Sequence, residues 1–195
     1  MIWSDHVPAD VADRYAVHEQ HHAAALLAHE FPAQFSDLCD ALRAFTITEE
    51  MITKPGGNES DIPKVMSTLL RPRGWVEGRL TASMTVDGQT QRQDTHKVDY
   101  LKGRVAFDME WNSKDQTFDR DLYAFRTFFE FDRISVGVIL TRSLDLDRLF
   151  ASLGVKAKYG ASTTHMGKLL SRLRAGRSGG CPVLVLCITR KVVTR

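Results

Sequence analysis

Cysteine is scarce: Cys39, Cys181 and Cys187 are the only three in 195 residues. An odd, sparse set builds no disulfide framework, and no CxxC pair is present to form a metal knuckle. Cys181 and Cys187 sit in or beside an apolar run, as buried thiols do, and the set fits a reducing, cytoplasmic setting. Long hydrophobic stretches are missing as well. No run approaches the roughly 20 residues that a membrane span needs, and MIWSDHVPAD at the N-terminus has neither the basic start nor the apolar core of an export signal. There is little excess charge of either sign, with 26 Lys and Arg against 24 Asp and Glu. The asymmetry lies along the chain instead, basic toward the C-terminus and acidic between Asp99 and Asp121. Repeats and low-complexity segments are absent. What is present, 43% apolar and 26% charged residues, suffices to bury the core of a single domain over 1–195.

Ala, Val and Leu at helical spacing predict a helix from Pro8 to about Phe31 and another from Ala33 to Phe45, so that 1–50 is an N-terminal helical segment. The turn-rich KPGGNESD at 54–61 leads into a helix from Pro63 to about Leu70, capped by Ser60 or Asp61 and stopped at RPRG. Strand-like stretches follow, Trp75 to Val86 closed by Asp87-Gly88, and then Lys97 to Trp111. ISVGVILT (134–141) and PVLVLCIT (182–189) are continuous apolar runs rich in β-branched residues, as central strands covered on both faces are. Helices near 117–131 and 163–175 alternate with them. The order predicts an α/β fold, a mixed β-sheet flanked by helices.

Residues 98–114, VDYLKGRVAFDMEWNSK, read as a hairpin. With Lys102-Gly103 as a two-residue turn, Asp99 lies opposite Ala106 and diagonal to Asp108. Alternation sends Val105, Phe107, Met109 and Trp111 to one face, and Ala106, Asp108 and Glu110 to the other, which Asp99 shares. The spacing has two readings. One is the solvated outer face of an exposed hairpin, its acids beside Lys97, Lys102 and Arg104, and spacing alone favours it. The other is a cation site, since packed carboxylates raise one another's pKa and persist only where a cation or a shared proton neutralises them. Mg²⁺, with carboxylate ligands, waters and substrate phosphates, suits that set.

Other motifs carry less. HEQHH at 18–22 matches the zinc-binding HExxH pattern, but it falls in the expected first helix without an upstream strand, and a metzincin's third His would land on Ala28. GGNES is followed by no GK[ST], and no GxSxG occurs. His96 and His165 read as surface or core histidines, with phosphate contact the alternative.

VDYLKGRVAFDMEWNSKD, followed by a helix and RISVGVIL, resembles the core of the BglII/BstYI family of type II restriction endonucleases, which carries a BamHI-like variant of the PD-(D/E)xK nuclease motif. In that family an Asp opens a hairpin, an acidic residue follows nine positions later, and Glu or Gln comes two after that. Asp99, Asp108 and Glu110 match without a gap. GGNES with the helix and RGW after it (Gly56 to Ser60, Arg73 to Trp75), and GASTTHMGKLL running into GGCPVLVLCI (Gly160 to Ile188), resemble further family segments in the same order, so the likeness covers a nuclease core at about 55–190.

The resemblance implies a restriction-endonuclease-like fold and Mg²⁺-dependent hydrolysis of phosphodiester bonds in double-stranded DNA at a short palindromic site. It also implies one or two ions per active site, with Mn²⁺ substituting, a homodimer, and a cognate DNA methyltransferase in the same cell. Asp99 and Asp108 would hold the metal. Glu110 stands where the broader motif has Lys, so it would take the proton of the attacking water or help to hold a second ion. Glu77, in GWVEG, falls about where the family has an additional acidic or amide group near the metal.

Asn112, Ser113 and Lys114 leave the catalytic strand where the family places base contacts. Ser162, Thr163 and Thr164, read as the start of the helix bearing Lys168, Arg172, Arg174 and Arg177, form a second DNA-reading segment. For Ser162 the plainer reading is an N-cap, and for the Lys/Arg run a solvated helix face. In DQTFDRDLYAFRTFFEFDR, Phe118, Leu122, Phe125 and Phe129 form one stripe, and the surplus Tyr123, Phe128 and Phe131 pack inside or form a two-fold interface. A repair or structure-specific nuclease, or an inactive DNA-binding protein, would use the same fold.

Overall fold

The computed structural model describes residues 2–55, 60–94 and 97–195. Residues 56–59 of the GGNES stretch, and His96, lie outside the described residues. After a 3-10 turn at Trp3–Asp5, the elements run α1 (Ala9–Arg14), β1 (Tyr15–Gln20), α2 (Ala23–Glu30), α3 (Pro32–Ala44), β2 (Ile47–Thr48), α4 (Glu49–Thr53), α5 (Asp61–Leu70), β3 (Val76–Gly78), β4 (Thr81–Val86), β5 (Gln89–Asp94), β6 (Val98–Lys102) and β7 (Val105–Glu110). They continue with α6 (Thr117–Glu130), β8 (Val136–Arg142), α7 (Leu146–Ser152), α8 (Met166–Arg174), β9 (Val183–Ile188) and β10 (Val193–Thr194). Among the described residues no helix is long and apolar enough to cross a membrane.

Six strands form one mixed sheet in the order β1-β9-β8-β7-β6-β3, with β7, β8 and β9 parallel and the flanking pairs antiparallel. Strands covered on both faces need no polar alternation, which is why β7, β8 and β9 are buried at every residue. The two faces feed separate cores. Phe107, Met109, Val138, Leu140, Leu184 and Leu186 pack against the layer that holds α1 to α5 and α7. Ala106, Ile139, Val183, Val185 and Cys187 pack beneath α6 and α8 through Phe118, Leu122, Phe125, Leu169 and Leu173. An exposed hairpin face is thereby overturned: β7 lies inside the sheet, not at its edge.

The expected helix over Pro8–Phe31 is broken in two. Tyr15–Gln20 is instead an edge strand paired antiparallel with β9, Tyr15 against Ile188 and Gln20 against Val183. Tyr15 and Val17 are buried and alternate with half-buried Ala16 and His18, a period of two hidden between Ala-rich helices. The open edge of β9 satisfies the backbone of this strand, and that tertiary pairing outweighs local helix propensity. His21 and His22 then turn the chain with φ of +56° and +57°. His18 on a strand and His22 in the turn are not one helical turn apart, so HEQHH fails as a zinc motif for a different reason from the one expected.

The hairpin register also differs. Lys102 pairs with Val105, Leu101 with Ala106 and Tyr100 with Phe107, so the turn is Gly103-Arg104, one residue later than expected. Gly103 takes φ +58° at the first central position, where type II′ turns place glycine. Lys102 is kept in the strand because its ammonium donates to Asp37 Oδ2 at 2.6 Å and to the Arg73 carbonyl at 2.8 Å. Each partner shifts by two positions, so every side chain keeps its expected face. At the other end of the molecule α8 begins at Met166 with His165 as N-cap, which leaves Ser162, Thr163 and Thr164 before the helix.

Candidate active site

Beyond the pair Tyr100 and Phe107, the next residues in register are Asp99 and Asp108. Here carboxylates stand in for ladder hydrogen bonds. The Asp99 N–H donates to Asp108 Oδ1 at 2.6 Å, and the Met109 N–H donates to Asp99 Oδ2 at 3.2 Å. Short acidic side chains compete with the backbone for its own donors, and in this place they hold the two strands together while fixing both carboxylates on one face. Glu110, two residues along β7, shares that face. The three acids singled out by spacing are thus brought together.

α6 lies across the same face and closes the other side. The resulting cleft, of about 160 Å³, is lined by Lys97, Asp99, Asp108, Glu110, Thr117, Arg120 and Asp121. Asp108, Glu110 and Asp121 are 3%, 7% and 8% exposed. Each has one buried carboxylate oxygen without a hydrogen-bond partner: Asp108 Oδ2, Glu110 Oε2 and Asp121 Oδ2. Burial first, then the charge of Asp99, pushes Asp108 well above the usual carboxylate range. Burial and Asp99 likewise push Glu110 up to about 7. Asp121 is raised well above its ordinary value by burial and by Asp108, Glu110 and Asp99. Asp99 forms the solvent-open lip, yet its carboxylate is turned inward among protein atoms and is raised too.

That arrangement predicts an unusual pH response. A carboxyl whose folded pKa exceeds its unfolded one binds more protons when folded, so it favours the fold fully at low pH and loses that contribution as pH rises. For Glu110 the window runs from 4.5 to about 7. In EDTA the urea midpoint should therefore be lower at pH 8 than at pH 5, and saturating Mg²⁺ should shrink the difference. A midpoint in EDTA that rises across the window would contradict the crowding of charges described here.

Other expected residues fall around this centre. Glu77, on β3, is exposed and bonded to Lys97 at 2.6 Å, which holds its carboxyl below the usual range; it stands at the rim behind Lys97, not in the cleft. The two segments expected to read DNA meet each other. Lys114 and Thr163 form an antiparallel bridge, the Asp115 N–H donates to the Ser162 carbonyl, and the Thr164 N–H donates to the Ser113 carbonyl, both at 2.9 Å. Lys114 and Ser162 are exposed on this ribbon, with Asn112 and Ser113 half-buried. Thr163 is committed inward, accepting from Arg142 and donating to the Gly160 carbonyl at 2.8 Å each, and Thr164 is fully buried. Lys168 braces the ribbon through Asp115 at 2.7 Å and the Ala161 carbonyl.

The Lys/Arg run is only partly a free face. Arg172 and Arg177 both bond Asp119 of α6. Sequence reasoning missed Asp121, although a signal existed: it sits three residues after Phe118 and four before Phe125, a carboxylate within the apolar stripe. It also missed Arg142, 1% exposed, whose guanidinium ties Thr163 to the sheet.

A comparison with the curated proteins returns no match. The family model described as restriction endonuclease BglII/BglIII matches residues 15–188, from the first residue of β1 to the last of β9, and so includes both walls of the carboxylate cleft. The chain therefore belongs to the BglII/BglIII family of restriction endonucleases, nucleases that act on DNA.

Proposed function

We propose that this chain is a type II restriction endonuclease that hydrolyses phosphodiester bonds in double-stranded DNA at a short palindromic site with Mg²⁺. The single observation carrying this reading is the cleft where Asp108, Glu110 and Asp121 each leave a buried oxygen unpartnered. Such a donor set is all hard oxygen, which suits Mg²⁺, or Mn²⁺ in its place, and not a thiolate-seeking metal. Among the described residues no three His, Cys, Asp or Glu side chains already stand as a ready ligand set, so holding an ion requires the carboxylates to swing from their present positions. Asp99 and Asp108 would hold one ion, with Glu110 able to share in a second. When bound, the metal supplies Lewis acidity and lowers the pKa of water.

The chain's own groups do the rest. Glu110 is poised near neutrality, where a carboxyl best exchanges a proton with water, and its buried Oε2 is left without a hydrogen-bond partner. It orients the attacking water and takes its proton while the 3′ oxygen departs in line. Arg120 and Lys97 line the opening and present positive charge to a backbone phosphate. Asn112, Ser113, Lys114 and Ser162 lie on the ribbon beside the cleft, in position to meet base edges. Thr163, Thr164 and Lys168 hold the ribbon in shape. A palindromic site calls for two-fold symmetry, and α6 leaves Tyr123 and Phe131 49% and 53% exposed beside buried Phe128, which supports a homodimer formed through that helix. A cognate methyltransferase would protect the host's own sites.

Incubation with a fully sequenced plasmid and Mg²⁺ tests the whole reading. Discrete fragments whose mapped ends share one short palindrome are expected, with no cutting in EDTA. Smearing or junction-only cutting would point to a repair or structure-specific nuclease, and duplex binding without cleavage to an inactive DNA-binding protein.

A further inference from the structure

Asp121 occupies a position that ordinarily belongs to a core residue. Its neighbours at helical spacing, Phe118, Ala124 and Phe125, are fully buried against the sheet, and a carboxylate among them is costly unless something compensates it. The other acids of α6 are compensated: Asp119 bonds Arg172 and Arg177, and Glu130 bonds Arg126 at 2.7 Å. Asp121 has no ion pair among the described residues, its Oδ2 is buried without a partner, and the side chain lines the cleft opposite Asp108 and Glu110. Four carboxylates therefore face a space whose lining cations are Lys97, already bonded to Glu77, and exposed Arg120. What this arrangement lacks is positive charge, and it lacks it at the oxygens that have no partner.

We infer that Asp121 is a further carboxylate of the cation site, brought by α6 to face the β6-β7 acids, and that it holds a divalent ion together with Asp108 and Glu110. This rests on the metal-dependent reading above and extends it from the hairpin to the helix. No redox or covalent step is involved. The additional carboxylate raises the charge available to bind cations, which favours holding more than one ion at a time.

The test uses the full chain without DNA at pH 8. Wild type, D121N and D108N are each titrated with Mn²⁺ by calorimetry and melted in EDTA and in excess Mn²⁺. The Asn variant keeps the size of Asp121 and removes its charge. It should bind Mn²⁺ about 10- to 100-fold more weakly than wild type, melt higher than wild type in EDTA because a repelling charge is gone, and gain less from Mn²⁺. If D121N binds Mn²⁺ as wild type does while D108N does not, Asp121 lies outside the site and the inference falls alone. If wild type and D108N bind alike, the metal reading of the cleft falls and takes this one with it. Should D121N fail to fold, D121S is measured in the same way, and an unchanged Mn²⁺ affinity overturns the inference equally.

Discussion

Asp108→Asn should still bind duplex DNA but cut it at least about 10³-fold more slowly, a loss of roughly 4 kcal/mol of transition-state stabilisation. The substitution is mild structurally. Asp108 Oδ1 accepts the Asp99 N–H at 2.6 Å, and the Asn carbonyl can accept the same hydrogen bond, so the place where carboxylates replace the ladder survives. What goes is the charge on the most buried of the hairpin acids, 3% exposed, whose Oδ2 is free for a cation. A divalent ion stabilises developing phosphoryl charge by several kcal/mol, and the variant loses that contribution with its ligand. Binding should hold or tighten at constant salt, since a negative group facing a phosphate has been removed. Single-turnover cleavage in Mg²⁺ and gel-shift binding in EDTA separate the two effects. Cleavage at the wild-type rate would remove Asp108 from the catalytic centre.

The parts of this site that were legible in the sequence are those that depend on local periodicity. Asp99, Asp108 and Glu110 share a face because alternation along a strand survives a register change of two, so the wrong turn still led to the right face. β8 and β9 were legible because burial on both sides leaves an unbroken apolar run. The rest depends on residues far apart in the chain. The turn is set by Lys102 reaching Asp37 and Arg73, and β1 exists because β9 offers it an edge. Pairing of 113–115 with 162–164, which turns Thr163 and Thr164 inward, has no local signature at all. Asp121 was visible as an acid in an apolar stripe. Its meaning required knowing which strand residues the helix would cover.

How closely α6 covers the sheet is set by Gly137, and replacing it should be among the most damaging changes in the core. Gly137 sits in β8 between Ala106 of β7 and Val183 of β9. A Cβ built there would lie 2.3 Å from Cδ2 and 2.5 Å from Cε2 of Phe125, a fully buried ring on α6. Carbon atoms pack at about 3.5–4.0 Å, so either the ring or the helix must move. Glycine in a strand interior ordinarily costs stability through its freedom in the unfolded chain, and a larger residue at an open site would help. Here the sign reverses. Gly137→Val should destabilise the fold by at least about 3 kcal/mol, lowering the melting temperature by roughly 6–12 °C for a chain of this size. The clash is specific to one partner, so it should be relieved when that partner is cut back. Phe125→Ala alone costs about 3–5 kcal/mol, and in that background the Val substitution should be at least about 1 kcal/mol less damaging than in the wild type. Urea unfolding of the four proteins measures the cycle. A Gly137→Val protein as stable as the wild type, or a cycle with no coupling, would mean that α6 does not rest on Gly137 through Phe125, and with it would go the close approach that carries Asp121 and Arg120 over the cleft.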